Sequence, residues 1–316
     1  WIPAKTINMQ KNKVLVLGTI AFDEVETPSG SSGKVIAGSA TYISLATSLF
    51  EVESAIVSIV GRDFPRDYLE ELAERNINME GVEIDSSGDT FYWKGRYHKD
   101  MNRRDTLVTD LNTLANFSPT VPDAFKDSKV ALLGNLHPDI QESVISQINT
   151  QNTTIILDTM NFWIERTWGE LMRVVSKTDI ITINNEEALQ MTGKTNILSA
   201  AKQISEMGPS YVIIKKGEHG SLLYHNDQTF LAPAAILDNV VDPTGAGDTF
   251  AGGMAGFLAS QGELNFEVLK TAMVYGSSVA SFCVTDFGTK AIVNTSISQI
   301  KKRVDMLKKA VDFKTF

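Results

Sequence analysis

The chain is poor in the residues that would mark several large classes of function. Its 316 residues include one cysteine, Cys283, which excludes disulfides and cysteine-rich zinc sites and fits a reducing, cytoplasmic compartment. Four scattered histidines (His98, His137, His219 and His225) offer no metal-ligand spacing. Positive charge is in deficit, with 29 Lys and Arg against 38 Asp and Glu. The resulting net charge of −9 argues against a nucleic-acid or anionic-membrane partner, so any phosphate site must be a local feature. No apolar run approaches membrane-spanning length. Trp1-Ile2-Pro3-Ala4-Lys5 lacks the apolar core of a secretory signal, and residues 1–8 are expected to form a tail outside the fold. Internal repeats and low-complexity linkers are also missing. What is present is apolar mass: 43% of residues are hydrophobic, enough for the large core of one big α/β domain.

One stretch organises the rest, Val241-Asp242-Pro243-Thr244-Gly245-Ala246-Gly247-Asp248-Thr249-Phe250. Pro243 cannot extend a helix or donate to a sheet, so the chain turns there. Beyond Asp248 the pattern is helical, with Phe250, Met254, Phe257 and Leu258 on one face. A glycine-rich turn opening a helix aims unpaired N–H groups and partial positive charge at one point, where an anion belongs. Asp248 adds a carboxylate beside it. A dinucleotide fingerprint is excluded because position 250 is Phe, and Gly193-Lys194-Thr195 follows a helical pattern with Ala188 where a Walker loop needs glycine. That lysine stretch is expected to be a helix C-cap.

Along the chain, short apolar runs alternate with amphipathic segments. Strands are expected at 14–17, 54–60, 130–133, 154–157, 179–183 and 211–214, with a hairpin at 221–231 around Asn226-Asp227. Helices are expected from Ala37, over 65–76, 138–148, 168–175 and 186–191, after the Asn196 cap, over 265–283 and at the C-terminus. Asp23 is placed in the loop after the first strand, where ligands of open α/β sheets bind. The aromatic, alternating stretch Thr90 to Tyr97 and the segment 106–109 interrupt the rhythm. They are read, with Val35-Ile36, as a small β lid. The expected fold is α/β, a doubly wound, mostly parallel sheet flanked by helices, spanning 9–316 with lid strands around 24–37 and 88–110.

The residues Asp242-Pro243-Thr244-Gly245-Ala246-Gly247-Asp248 closely resemble the signature of the ribokinase-like (PfkB) family of carbohydrate kinases. Other motifs are similar in the same order. Leu17-Gly18-Thr19-Ile20-Ala21-Phe22-Asp23 resembles the family's first strand and its hydroxyl-binding Asp. Ala37-Gly38 resembles a paired-glycine hinge, with Ala in the first place, and Tyr42 stands where the family carries Asn. Asn184-Asn185-Glu186-Glu187 resembles the N-x-x-E element, although alone Asn184 reads as an N-cap and Glu187 as a first-turn acid. Lys216-Gly217 through Gly220 resembles the glycine turn beside the nucleotide, and Phe287-Gly288-Thr289 the end of the adenine loop.

The resemblance implies phosphoryl transfer from ATP to a hydroxyl of a small carbohydrate-like acceptor. It implies Asp248 as base, the N–H groups of Gly245, Ala246 and Gly247 as anion hole, and Asp23, Gly38 and Tyr42 at the acceptor. Asn184, Lys216, Gly217, Gly220, Thr244, Gly247 and Gly288 would border the nucleotide, Glu187 would reach Mg²⁺ through water, and Asp242 would border a K⁺ site. The helix dipole would hold the Asp248 pKa low, making orientation matter more than basicity. A nucleoside acceptor is the alternative, with Tyr42, Phe91, Trp93, Phe162 and Trp163 available to stack on a base. A ligand-binding homologue without turnover is the reading from another class. Arg96, Arg103 and Arg104 could meet a phosphate already on the acceptor, or form a solvated turn. The lid could also pair two copies as a homodimer.

Overall fold

The computed structural model describes residues 12–314, so the tail expected at 1–8 lies outside the described residues. The strands are β1 (Lys13–Leu17), β2 (Ala21–Thr27), β3 (Gly30–Ala37), β4 (Glu53–Gly61), β5 (Ile77–Asn78), β6 (Val82–Asp85), β7 (Tyr92–Tyr97) and β8 (Arg104–Asp110). They continue with β9 (Val130–Leu133), β10 (Thr154–Asp158), β11 (Ile180–Asn184), β12 (Tyr211–Lys215), β13 (Ser221–His225) and β14 (Gln228–Ala232). The main sheet runs β14-β13-β12-β11-β10-β9-β1-β4-β5, with β6 also on β4. It is parallel from β12 through β5, and the β13–β14 hairpin adds an antiparallel edge.

Both faces of this sheet are covered, which is why its strands read as unbroken apolar runs. Val14 and Val16 pack on the side of helices Ser39–Ser48, Ala246–Gln261 and Phe266–Cys283, while Leu15 and Leu17 pack on the opposite side. Helix Ala246–Gln261 is buried nearly all round, beyond the single apolar face read from its sequence. It lies close to its neighbour: a Cβ on Gly252 would stand 2.5 Å from the Ile43 carbonyl oxygen. This close packing fixes the helix tip over the carboxyl edge of the parallel strands.

A second sheet, β3-β2-β7-β8, stands apart from the first. Asp23 therefore belongs to a strand and not to a loop, paired with Val35 on one side and Trp93 on the other. The polarity of this stretch hid its strand, because the lid sheet has only one covered face. The lid's pieces touch the main domain at several points. Thr27 Oγ1 donates to the Val241 carbonyl at 3.0 Å, and Tyr97 Oη lies 3.3 Å from Thr244 Oγ1. A Cβ on Gly217 would stand 3.4 Å from Asn102 in the β7–β8 turn.

Further departures are local. Phe162-Trp163-Ile164 forms a short helix, Asn161–Arg166, that buries Ile164 and leaves Phe162 exposed. The short strands β5 and β6 had too few residues to show a period. Gly193 is the left-handed C-cap expected for a helix end, at φ 66°.

Candidate active site

The loop 242–248 sits at the carboxyl edge of the sheet, under the lid. Pro243 and Gly245 make a turn in which the Ala246 N–H donates to the Pro243 carbonyl at 3.2 Å. Gly245, left-handed at φ 75°, is the N-cap of helix Ala246–Gln261. Only glycine suits this place, because a Cβ would stand 2.6 Å from carbons of the Tyr42 ring. The N–H groups of Gly247 and Asp248 fall in the first helical turn, which has no carbonyls to serve them. Of the three amides expected to meet an anion, at Gly245, Ala246 and Gly247, that of Ala246 is taken up by the turn, while those of Gly245, Gly247 and Asp248 have no backbone partner among the described residues.

Tyr42 also needs correction. It is fully buried beneath Gly245, with no face left for an acceptor or a base, and it supports the loop from below. Asp242 is likewise turned inward. Its carboxylate accepts from the Thr244 N–H at 2.9 Å, and the Val241 N–H donates to the Val284 carbonyl at 2.8 Å, tying the loop to the 284–289 segment. Gly38, N-cap of helix Ser39–Ser48, packs on the Thr19 carbonyl and the Ala21 amide.

The carboxylate expected to have a depressed pKa has the opposite shift. Asp248 keeps some open surface, yet desolvation and then the neighbouring Asp158 push it up to about 7 against the pull of Lys215 and Arg104. Burial is the largest cause of this rise. Asp23 is also pushed up to about 7, by desolvation and then by Asp242 and Asp248, with Arg104 opposing. Glu187 reaches about 7 by desolvation, opposed first by Lys215 and reinforced by Asp158. Three perturbed carboxylates around one cleft mark a place that demands cations.

Asn184 and Glu187 form a capping box at the start of helix Asn185–Thr192, with the Asn184 N–H donating to Glu187 Oε2 at 2.8 Å and the Glu187 N–H donating to Asn184 Oδ1 at 2.9 Å. The structural roles read for each alone are thus realised, with Asn184 ending β11 and Glu187 in the first turn of the helix that follows. Among the described residues no cluster of three His, Cys, Asp or Glu could cage a metal.

Two residues that carry charge here end strands in the sequence reading but were not named as site residues. Lys215, at the end of β12, puts Nζ 3.2 Å from Asp158 Oδ1 and 3.2 Å from where a Cβ on Gly247 would stand. The lysine beside Gly247 is therefore Lys215; Lys216 is the N-cap of the short 3₁₀ turn Gly217–His219. Asp158 closes β10 and pairs with it. Gly217, which opens that turn, is exposed and Gly220, which follows it, is buried, while Gly288 is buried against Val35 of the lid.

The molecule is an α/β protein whose second, smaller β sheet touches the loop that carries Asp248. Residues 11–296 match the pfkB family carbohydrate kinases, and the chain belongs to that family. It is a small-molecule kinase that phosphorylates a carbohydrate-like acceptor from ATP. It is 28% identical over 249 residues to a cytidine kinase of Thermococcus kodakarensis, covering 77% of this chain and 88% of that one. It is 27% identical over 318 residues to a nucleoside kinase of Methanothermobacter thermautotrophicus, covering 92% of this chain and 94% of that one. A protein from E. coli, solved in complex with ATP and Mg²⁺, shares the fold with a TM-score of 0.78 at 20% identity, covering 93% of this chain and 99% of that one.

Proposed function

We propose that the acceptor is a nucleoside and that Asp248 is the base of the transfer. The acceptor hydroxyl oxygen forms a bond to the γ-phosphorus, the bond to the ADP oxygen breaks, and the hydroxyl proton passes to Asp248. With its pKa near 7, Asp248 is largely ionised at mildly alkaline pH and still basic enough to hold that proton. The amides of Gly245, Gly247 and Asp248, with Lys215 beside them, would hold the phosphoryl oxygens as charge moves. Asp23 would hold a second acceptor hydroxyl. Asn184, Gly217, Gly220, Thr244 and Gly288 would border the nucleotide, with Lys216 at its edge. Glu187 would hold Mg²⁺ through water, and that ion would neutralise phosphate charge.

The single observation that carries this reading is the carboxylate of Asp248 at a helix tip with open amides and a cation against it. The nucleoside preference rests on the two curated relatives that cover most of the chain. Among the aromatic residues, half-buried Phe91, Trp93 and Trp163 keep surface for a base, and Trp163 is oriented by a 2.8 Å bond from Nε1 to Asn135 Oδ1. A panel of nucleosides and sugars with ATP and Mg²⁺, read by ADP release and product mass, tests it. Nucleoside monophosphates are the expected products; a sugar phosphate would replace the acceptor, and no acceptor-dependent ADP would remove the reading.

Three smaller expectations belong to this reading. A K⁺ site beside 242–244 would use backbone carbonyls, since the Asp242 carboxylate is committed; an equal rate in K⁺ and choline salts removes it. A lid-to-lid homodimer would cover Leu107, Val108 and Leu111, exposed along and beyond β8; a monomer by analytical ultracentrifugation removes that. A cytoplasmic location would keep Cys283 reduced, and fractionation of the source cells checks it.

A further inference from the structure

The lid carries three arginines in or beside the β7–β8 hairpin, and the structure separates them. Arg96 Nε lies 2.6 Å from Glu26, and Arg103 Nε lies 2.7 Å from Asp100, so both are held within the lid itself. Arg104 has no ion pair of this kind among the described residues. Its cross-strand partner in β8–β7 pairing is Tyr97. Residues directly opposite in an antiparallel pair point to the same side of the sheet. Tyr97 is buried and its hydroxyl lies 3.3 Å from Thr244 in the glycine turn, so this side of the lid faces the cleft. On the other flank, two residues before Arg104, Asn102 lies against Gly217 of the nucleotide turn. Arg104 is thus bracketed between the loop that opens the anion hole and the loop beside the nucleotide. Its guanidinium carbon is 5.5 Å from the centre of the Trp93 ring, which gives the flat group a face to lie on.

Resting on the kinase reading above, we infer that Arg104 is a lid-borne catalytic residue whose guanidinium binds the oxygens of the phosphoryl group in transit. Lys215 is a fixed cation under that group, from the sheet; Arg104 covers it from the opposite wall. The forked guanidinium suits two phosphoryl oxygens at once, where an ammonium would serve as a point charge. Its electrostatic surroundings agree with this placement. Desolvation opposes the charge of Arg104 even though solvent reaches the side chain, while Tyr97, Glu187 and Asp248 hold the charge in place. It acts in turn on Asp23, Glu187 and Asp248, lowering all three.

The test compares Mg²⁺-bound ADP with Mg²⁺-bound AMP-PNP, a non-hydrolysable ATP analogue, by titration calorimetry on the full chain. The two probes differ in the γ-phosphoryl group that Arg104 is inferred to hold. Arg104→Gln is expected to weaken AMP-PNP binding by about tenfold or more and to leave ADP within about twofold. Arg104→Lys is expected to fall between Arg104→Gln and the unaltered protein. Equal affinities of Arg104→Gln and the unaltered protein for AMP-PNP would overturn the inference. So would equal losses for both nucleotides, because a merely structural lid residue would not distinguish them. If the unaltered protein bound neither nucleotide, the kinase reading itself would fall.

Discussion

Asp158→Asn and Lys215→Met are predicted to move the acid limb of the kcat/KM profile in opposite directions. The limb reports the free enzyme's essential base, here Asp248, so activity should rise with pH through about 7. Asp158 raises the Asp248 pKa and Lys215 lowers it, and these two side chains lie 3.2 Å apart beside Gly247. At an effective dielectric constant near 20, unit charges roughly 6–8 Å apart interact by about 2–3 kcal/mol, or about 1.5–2 pKa units. Solvent at the half-open Asp248 reduces this to about one unit. Asp158→Asn removes a like charge, so the base ionises at lower pH and the limb moves down by about one unit. Lys215→Met removes an opposite charge, so the limb moves up by about one unit. The double variant should return close to the original position, because the two changes cancel. The assay is initial rate at low acceptor concentration from about pH 5.5 to 9, with limb position rather than height as the readout. Shifts of the same sign, or an unmoved limb in both variants, would refute Asp248 as the titrating group.

Other outcomes follow from the same geometry. Gly245→Ala forces a left-handed alanine with its Cβ 2.6 Å from the buried Tyr42 ring, and should cost about 2–4 kcal/mol in urea unfolding; a loss under about 0.5 kcal/mol would contradict the packing. Asp23 has a folded-state pKa of about 7 against an ordinary 3.8, so its contribution to stability is full below about pH 4 and is lost as pH rises through 7. Asp23→Asn should therefore raise the melting temperature of the ligand-free protein at about pH 8 and change it little at about pH 4, while weakening acceptor binding. A melting temperature lowered at the higher pH would contradict the assignment of that shift.

Much of this molecule was legible because its main sheet is covered on both faces. Val130–Leu133 and Trp168–Val175 were read with the bounds they have, since buried parallel strands and amphipathic helices leave unambiguous patterns. The glycine turn with Asp248 was visible for a different reason: no folding requirement puts Pro, two Gly and an acid in that order. The lid was harder. Its strands expose one face, so the lid strand was started at 24 and Asp23, inside β2, was read as loop. Charge partners were hardest of all, because pairing across the fold leaves no periodic trace. Nothing in a run of two lysines says which one meets Asp158, and only the pairing of Arg96 and Arg103 sets Arg104 apart. Burial decided two further points against the sequence reading. It places Tyr42 beneath the turn rather than at the acceptor, and it raises the Asp248 pKa where the helix dipole alone would lower it.

The most direct measurement is single-turnover phosphoryl transfer by Asp248→Asn, with nucleotide affinity determined on the same preparation. Transfer should slow by about a hundredfold or more while ADP–Mg²⁺ binds within a few-fold of the unaltered protein. Transfer at an undiminished rate, with the nucleotide bound as before, would show that the proton leaves by another route and that this carboxylate is not the centre of the reaction.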